Sequence, residues 1–482
     1  MTTLVVSVLV YLAVTIAIGL YATKFVSSSK DYLVAGRSLP LYMTTATVFA
    51  TWFGAETVLS VSATFVKDGL GGIPADPFGA TFCLIFVAAF FARAFYRMDL
   101  LTIGDFYKKR YGKGVEVLTS IAVTLSYLGW TSAQLTALGI VFNSLSQGAI
   151  GLDHGILLGA LIVLIYTTLG GMWSVALTDL FQSVVIVVGL IYVAALASGM
   201  AGGLGVVVHH AADAGKFSFL PTGGSKEWWA FVAAWATLAV GSIPQQDVFQ
   251  RVTSAKDERT AIKGSLLGAA AYFVFAFVPM FLAYAALMID PKMVNSLLAQ
   301  EGREVQLILP NFVLAHTPIF AQIMFFGALL SAILSTASGA LLAPTALFTE
   351  NVVKPLFGDM SDKRFLLTLR TILVFFTAGV LMFALNNTST MYEMVQNAYK
   401  VTLVGAFVPL ACGIYWHRAT TQGALVSSLV GLAVWGICET FFADAVIPPQ
   451  MVGLFASALG IVGGSLAPQL VRDGRAGTHA GA

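Results

Sequence analysis

Apolar runs of about 20 residues recur from one end of the 482-residue chain to the other, separated by short polar stretches. Each run is long enough to cross the ~30 Å hydrocarbon core of a bilayer. The pattern predicts an all-α polytopic membrane protein with about 13 transmembrane helices, spans 1 to 13, and no soluble domain. The spans are predicted near residues 2–23, 41–66, 77–98, 115–147, 153–171, 174–200, 229–250, 262–288, 308–353, 364–386, 391–416, 421–443 and 449–471. The stretch 308–353 is too long for one crossing, and we expect a short external helix ending near His316 before the true span 9.

Composition supports lipid as the main solvent of this fold. Hydrophobic residues make up 58% of the chain and charged residues only 10%, whereas a soluble domain carries about 25% charged residues. The net charge of +2 gives no reason to expect a nucleic-acid partner.

The basic residues of the loops predict the orientation in the membrane. If the N-terminus is outside, the inner loops hold 20 of the 26 Lys and Arg residues and the outer loops hold 5, with Lys400 alone inside a span. Basic residues accumulate on the cytoplasmic side of membrane proteins. We therefore expect the N-terminus outside and the C-terminus in the cytoplasm, in the inner membrane of a bacterium.

Spans 2 and 7 are interrupted in the middle by glycine, proline and polar residues. The interruptions are residues 51–56 (TWFGAE) and 241–247 (GSIPQQD). An unpaired backbone amide in lipid costs several kcal/mol, so a broken helix there must line a cavity or an ion site. Because the breaks lie five spans apart, spans 2–6 and 7–11 fit an inverted repeat of 5+5 helices around a midplane site. The alternative is a simple kink in each helix.

Several motifs resemble the sodium:solute symporter family. They are residues 31–37 (DYLVAGR), 102–106 (TIGDF), 155–175, 178–182 (TDLFQ) and 250–251, and they occur in the family's order. The resemblance implies a leucine-transporter-like inverted-repeat fold, alternating access and sodium coupling. We expect one transporter domain over residues 1–482, with core repeats at about 41–200 and 229–416. Peripheral helices would lie at about 2–23, 421–443 and 449–471.

The resemblance also implies a sodium site between spans 2 and 9. Its ligands would be the carbonyls of Ala50, Phe53 and Ala332 and the hydroxyls of Ser335 and Thr336. Neutral oxygens suit a hard cation that must be released again. The alternative is that the two hydroxyls bond to their own helix or to a neighbouring one.

Asp179 matches the family's aspartate near the inner end of span 6, close to the expected sodium exit. The alternative is that Asp179 caps the helix that begins after Gly171. Both roles are compatible.

Ionisable residues inside spans are costly and therefore indicate function. Glu56, Asp247 and Lys400 are the three that stand out, with Gln396 one turn before Lys400. Glu56 and Lys400 are expected to form an ion pair or to divide a zwitterionic solute between them. The alternative is a structural pair unrelated to the solute.

Aromatic residues indicate the type of solute. Trp52 and Trp130 look like those of the choline-transporting branch, which holds a quaternary ammonium by cation–π contacts. That branch carries a further tryptophan where this chain has Gln245, and the tyrosine–tryptophan pair of sugar-transporting relatives is absent. An amino acid or organic amine is therefore expected, with Trp52, Glu56, Trp130, Gln245, Gln396 and Lys400 as candidate contacts. The alternative for each tryptophan is simple packing.

Other functional classes fit less well. The chain has no G-x-x-x-x-G-K-[ST] phosphate loop for ATP, and we expect it not to be an enzyme. We expect Na⁺ as co-transported ion and no obligatory protein partner. The alternatives are a proton-coupled carrier, a sugar or carboxylate symporter of the same fold, a transporter-like sensor and a channel.

Overall fold

The computed structural model describes residues 2–300, 302–358 and 360–471. Within these ranges the secondary structure is helical, apart from one isolated bridge between Leu39 and Ala255. The predicted all-α fold class is confirmed.

The long helices follow the predicted spans closely. In chain order they are Thr2–Ala22, Leu41–Trp52 with Glu56–Asp68, Pro74–Arg97, Lys113–Leu145, Leu152–Met200 (spans 5 and 6), Ser225–Ala239 with Gln246–Thr253, Glu258–Ile289, Ile319–Phe357, Asp362–Asn386, Met391–Tyr415, Thr421–Phe441 and Pro449–Leu466. Shorter helices are Ser29–Val34, Ile103–Tyr111, Leu204–Asp213, Pro291–Leu298 and Ile308–His316, with single turns at Thr23–Phe25, Ala35–Arg37, Leu70–Gly72 and Gly302–Leu307. The short helix Ile308–His316 before span 9 is as predicted.

Nine of the described helices are long and apolar enough to cross a membrane, or ten if the two halves of span 2 count as one crossing. Span 4 (Lys113–Leu145) does not satisfy this criterion. It carries many polar side chains, such as Ser126 and Gln134, and these are buried against protein. The count of 13 spans therefore stays a prediction.

Both predicted breaks are present. The helices Leu41–Trp52 and Glu56–Asp68 of span 2 are bent by 55° relative to each other. In span 7, the helix Ser225–Ala239 ends and Gln246–Thr253 begins after a run of turns over residues 240–245.

Contacts between loops define one face of the molecule. Arg37 forms an ion pair with Asp99, and Arg97 Nε lies 2.7 Å from a carboxylate oxygen of Glu258. The amide of Lys256 donates to the carbonyl of Leu39 at 2.9 Å. The loops before span 2, after span 3 and before span 8 therefore lie together, as the predicted topology requires.

The opposite face is defined in the same way. The amide of Leu70, after span 2, donates to the carbonyl of Lys216 at 2.8 Å. Arg303, before span 9, donates to the carbonyl of Ala384 at the end of span 10, at 2.6 Å. Along the chain, each of these loops is separated by one span from a loop of the first face. The two groups of loops therefore lie at opposite ends of the helices.

Gly171 makes the turn between spans 5 and 6. Its backbone has φ 54° and ψ −149° inside the helix Leu152–Met200. A Cβ at this position would lie 2.5 Å from the carbonyl oxygen of Tyr32. Glycine is required here both by the left-handed backbone and by the close approach of the helix Ser29–Val34.

We expect Gly171→Ala to lower the thermal stability of the purified protein in detergent. The left-handed backbone alone costs about 1–2 kcal/mol for a residue with a Cβ, and the Tyr32 carbonyl adds a clash. Gly199→Ala, in the same helix, is the control, because a Cβ there meets nothing within 4 Å. Equal melting temperatures for the two variants would contradict this account of the turn.

Candidate functional site

Two adjacent hydroxyls of span 9 bond to the end of the first half of span 2. Ser335 Oγ donates to the carbonyls of Ala50 (2.9 Å) and Ala332 (3.1 Å). Thr336 Oγ1 donates to the carbonyls of Ala50 (3.3 Å) and Thr51 (3.2 Å). All five residues are buried. These are the bonds that the alternative interpretation predicted, and they also bring four of the five predicted sodium ligands together.

The break in span 2 makes these carbonyls available. A helix leaves the carbonyls of its last turn without intrahelical partners, and Leu41–Trp52 ends inside the protein. Phe53, the fifth predicted ligand, lies in the break with φ −84° and ψ 74°, and its amide donates to the carbonyl of Phe49. The role of Phe53 as a sodium ligand stays a prediction.

Asp179 is fully buried, and neither of its carboxylate oxygens has a hydrogen-bond partner among the described residues. It interacts electrostatically with Arg251, whose Nε donates to Thr51 Oγ1 at 2.9 Å. Arg251 is therefore close to both Asp179 and the end of the first half of span 2. The alternative interpretation of Asp179 as a helix cap is wrong, because a cap would have to accept a backbone N–H.

Glu56 begins the second half of span 2 and is held by span 4. Its carboxylate accepts from Gln134 Nε2 at 2.6 Å and from Trp130 Nε1 at 3.2 Å. Gln134 also accepts from the amide of Ala55 at 3.2 Å, so it bridges the broken backbone and the carboxylate. A Cβ on Gly54 would lie 2.4 Å from Glu56 Oε2, so glycine leaves the space that the carboxylate occupies.

The expected ion pair between Glu56 and Lys400 is wrong. Lys400 Nζ instead lies 2.9 Å from Oε1 of Glu439 at the end of span 12. Lys400 and Gln396 line a cavity of about 1260 Å³ on the face that carries Lys67. The reason is the position of Lys400 on its helix: it faces this cavity and span 12, whereas Glu56 faces span 4.

The two predicted tryptophans belong to two different groups of aromatic rings near the break of span 2. Trp52 makes an edge contact with Tyr272, with ring centroids 6.4 Å apart. Trp130 packs against Tyr127 (5.8 Å) and Tyr399 (6.0 Å). All five rings are buried, which suits either a cation–π site or simple packing.

Gln245 and Asp247 connect the break of span 7 to span 4. Gln245 Nε2 donates to Ser126 Oγ at 2.9 Å and to Thr402 Oγ1 at 3.3 Å. Asp247 accepts a hydrogen bond from the hydroxyl of Tyr127, which in turn accepts from the amide of Asp247 at 2.9 Å. The side-chain amide of Gln245 thus bonds to the protein itself, and its contact with solute stays a prediction.

Sequence reasoning missed Asp76. This buried carboxylate accepts hydrogen bonds from Tyr272 and, at 3.1 Å, from Thr57 Oγ1. It lies in the short helical segment Pro74–Gly79, one residue before the predicted start of span 3, and was therefore assigned to a loop. The signal that could have found it is an aspartate and a proline directly before an apolar run.

We expect Gln134→Leu to destabilise the protein, because Glu56 and the amide of Ala55 each lose a buried partner. Each unsatisfied buried group costs about 1–3 kcal/mol. Thr136→Val, two residues along the same helix, is the control, because the buried Thr136 hydroxyl has no partner among the described residues. Melting temperatures of the purified variants measure the difference, and a Gln134→Leu protein as stable as Thr136→Val would contradict the bridging role.

Known transporters resemble this chain over most of its length. It is 26% identical to the high affinity choline transporter 1 of Homo sapiens over 442 residues, which cover 89% of this chain and 75% of that protein. It is 23% identical to the sodium/glucose cotransporter of Vibrio parahaemolyticus, with 88% of this chain and 82% of that protein covered. It is 24% identical to the osmoregulated proline transporter OpuE of Bacillus subtilis, with 95% and 94% covered.

Two solved structures establish the fold. A Na⁺-coupled sialic acid symporter in a substrate-bound outward-open state has a TM-score of 0.79 and 18% identity, over 97% of this chain and 99% of that one. Mhp1, a nucleobase-cation-symport-1 family transporter, has a TM-score of 0.57 and 18% identity, over 89% and 93%. Together with the paired breaks, these likenesses confirm the leucine-transporter-like inverted-repeat fold.

The family model for the sodium:solute symporter family matches residues 32–431. It includes both broken spans and the hydroxyls of span 9. The chain therefore belongs to the sodium:solute symporter family, and Na⁺ is its co-transported ion.

Proposed function

We propose that this protein uses the inward movement of Na⁺ to take up a small amine-bearing organic solute by alternating access. The observation that carries the proposal is the meeting of Ser335 and Thr336 with the carbonyls of Ala50 and Thr51 at the break of span 2. Buried carbonyl and hydroxyl oxygens gathered at one point are the ligands that hard cations take.

In this proposal Na⁺ binds the carbonyls of Ala50 and Ala332 and the hydroxyls of Ser335 and Thr336, with the carbonyl of Phe53 as fifth ligand. Two of these carbonyls belong to the broken span. Bound Na⁺ therefore favours one arrangement of spans 2 and 9, and a ligand shifts a conformational equilibrium only through such differential contacts. Neutral ligands bind Na⁺ weakly enough to release it on the other side.

Asp179 would act on the release path. Its carboxylate is buried without a hydrogen-bond partner among the described residues. A buried carboxylate of this kind attracts a departing cation. Arg251, which contacts Thr51, would balance the charge of Asp179 when Na⁺ is absent.

The membrane potential supplies enough energy to accumulate the solute when its transport is coupled to Na⁺. One charge moving down 100 mV supplies ~2.3 kcal/mol. This corresponds to about 50-fold accumulation of solute before any Na⁺ gradient is added.

The site supports an amine rather than a sugar. Glu56 supplies negative charge beside Trp130, which donates to it at 3.2 Å. Because Lys400 pairs with Glu439, the solute would not be shared between Glu56 and Lys400 as a zwitterion is. An organic amine is therefore favoured over an amino acid.

The proposed location is the inner membrane of a bacterium, with the N-terminus outside and the C-terminus in the cytoplasm. The face that carries Arg37 and Arg97 is then cytoplasmic, and the cavity lined by Lys67 and Gln396 is the outer vestibule. Basic residues on the first face support this direction.

We expect the double variant Ser335→Ala, Thr336→Ala to lose sodium-dependent uptake, with sodium affinity weakened about 10-fold or more because two ligands are removed. Thr345→Val on the same helix is the control, since its hydroxyl donates to the carbonyl of Leu341 in its own helix. Uptake and sodium-induced thermal stabilisation measure the effect. A double variant with wild-type sodium affinity would refute the site.

We expect alkaline phosphatase fused to the C-terminus to be inactive in bacterial cells and a fluorescent protein fused there to fluoresce. Phosphatase fused after Lys216, on the opposite face, should be active. The reverse pattern would contradict the proposed orientation.

A further inference from the structure

Two buried carboxylates lie near the break of span 2: Glu56 begins its second half, and Asp76 accepts a hydrogen bond from the next residue, Thr57. Glu56 and Asp76 are each only 4% exposed and interact electrostatically. Among the described residues, every hydrogen-bond donor to them is neutral, and neither forms an ion pair with a basic side chain. Two buried negative charges are expensive unless a proton or another cation accompanies them.

Both carboxylates have acceptor positions that the hydrogen bonds given for the described residues do not fill. Asp76 Oδ1 accepts from Tyr272 and Oδ2 from Thr57, and each oxygen of Glu56 accepts one bond in the same way. An ionised carboxylate offers about four acceptor positions. Each oxygen can therefore accept one more hydrogen bond.

Tyr392 provides a third polar group close to Asp76. The hydroxyl of Tyr392 lies near the backbone of Ala75 and the side chain of Gln396 without a hydrogen bond of standard geometry to a described residue, and the side chain is only 8% exposed. It interacts electrostatically with Asp76. The amide of Tyr392 donates to Ser60 Oγ at 3.1 Å, which fixes the start of span 11 against the second half of span 2.

Tyr392 also connects this group to the outside. It lines the cavity of about 1260 Å³ that contains Gln396 and Lys400, and a smaller one of about 350 Å³ beside it. Tyr392 is therefore the residue of this group that borders both cavities.

We propose that Asp76 binds the ammonium group of the transported solute, with Glu56 and the Tyr392 hydroxyl beside it, and that it selects amines with N–H groups over quaternary ones. This rests on the proposed function. Primary and secondary ammonium groups donate charge-assisted hydrogen bonds to a carboxylate. A quaternary ammonium has no N–H and depends on aromatic faces alone.

The same charges exclude a solute carboxylate from this position. A zwitterionic amino acid would place its own negative group in a site that holds two already, with Lys400 directed to Glu439. The solute is therefore a compact organic amine without a carboxylate.

The experiment is a binding series on the purified full-length protein in sodium buffer. Ethanolamine, N-methylethanolamine, N,N-dimethylethanolamine and choline share one positive charge while their N–H groups decrease stepwise to none, and β-alanine serves as the zwitterion. We expect affinity, from thermal shift and calorimetry, to fall along the series, with choline and β-alanine at least about 10-fold weaker than ethanolamine.

Asp76→Asn should weaken ethanolamine binding about 10- to 100-fold and abolish the preference over choline. Tyr392→Phe, which keeps the aromatic ring and removes the hydroxyl, should weaken ethanolamine binding a few-fold. The control is Asp68→Asn, an exposed acid in the same vestibule. Sodium-induced stabilisation should persist in all three variants, which also shows that they are folded.

Several results would overturn the inference. They are equal affinity along the series, tighter binding of choline or β-alanine, no response to any amine while sodium still stabilises the protein, or an Asp76→Asn variant with unchanged selectivity. Loss of sodium stabilisation in Asp76→Asn with amine selectivity intact would assign Asp76 to an ion instead. The double variant Ser335→Ala, Thr336→Ala tests the proposed sodium coupling separately. A failure of that proposal can therefore be distinguished from a failure of this inference.

Discussion

The organisation of this protein depends on the break in span 2. A helix that stops within the protein interior leaves carbonyls without partners, and such groups are not tolerated in a dry environment unless something else bonds to them. Ser335 and Thr336 of span 9 meet this need at Ala50 and Thr51. The same oxygens that satisfy the helix end are the ones we propose for Na⁺. Ion binding and the local structure of the broken helix are therefore the same interaction.

Span 4 connects the two breaks. Gln134 bonds to both the amide of Ala55 and the carboxylate of Glu56 at the break of span 2. About two turns earlier on the same helix, Tyr127 bonds to Asp247 at the break of span 7. Buried networks of this kind are costly when only partly satisfied. One continuous helix thus contacts both breaks through buried hydrogen bonds.

The charges of the site divide into two groups. Lys400 and Glu439 form a partly exposed pair that lines the cavity of about 1260 Å³, and such a pair contributes little to stability. Glu56 and Asp76 are buried with neutral donors only. This separation leaves two carboxylates without a basic partner among the described residues at the centre of the protein, which is the basis for proposing a cationic solute over a zwitterion. Tyr392 lies at the boundary between the two groups.

The sequence by itself determined the helical membrane fold, the positions of both breaks and the partnership of Ser335 and Thr336 with Ala50. These features are readable because lipid requires long apolar helices and allows interruptions only at functional positions, and because the family motifs fix which spans meet. Only the tertiary structure decided the partner of Lys400 and the burial of Asp76. Side-chain partners between helices depend on how each helix is rotated and how deeply it is placed, and hydropathy along a single chain contains neither quantity.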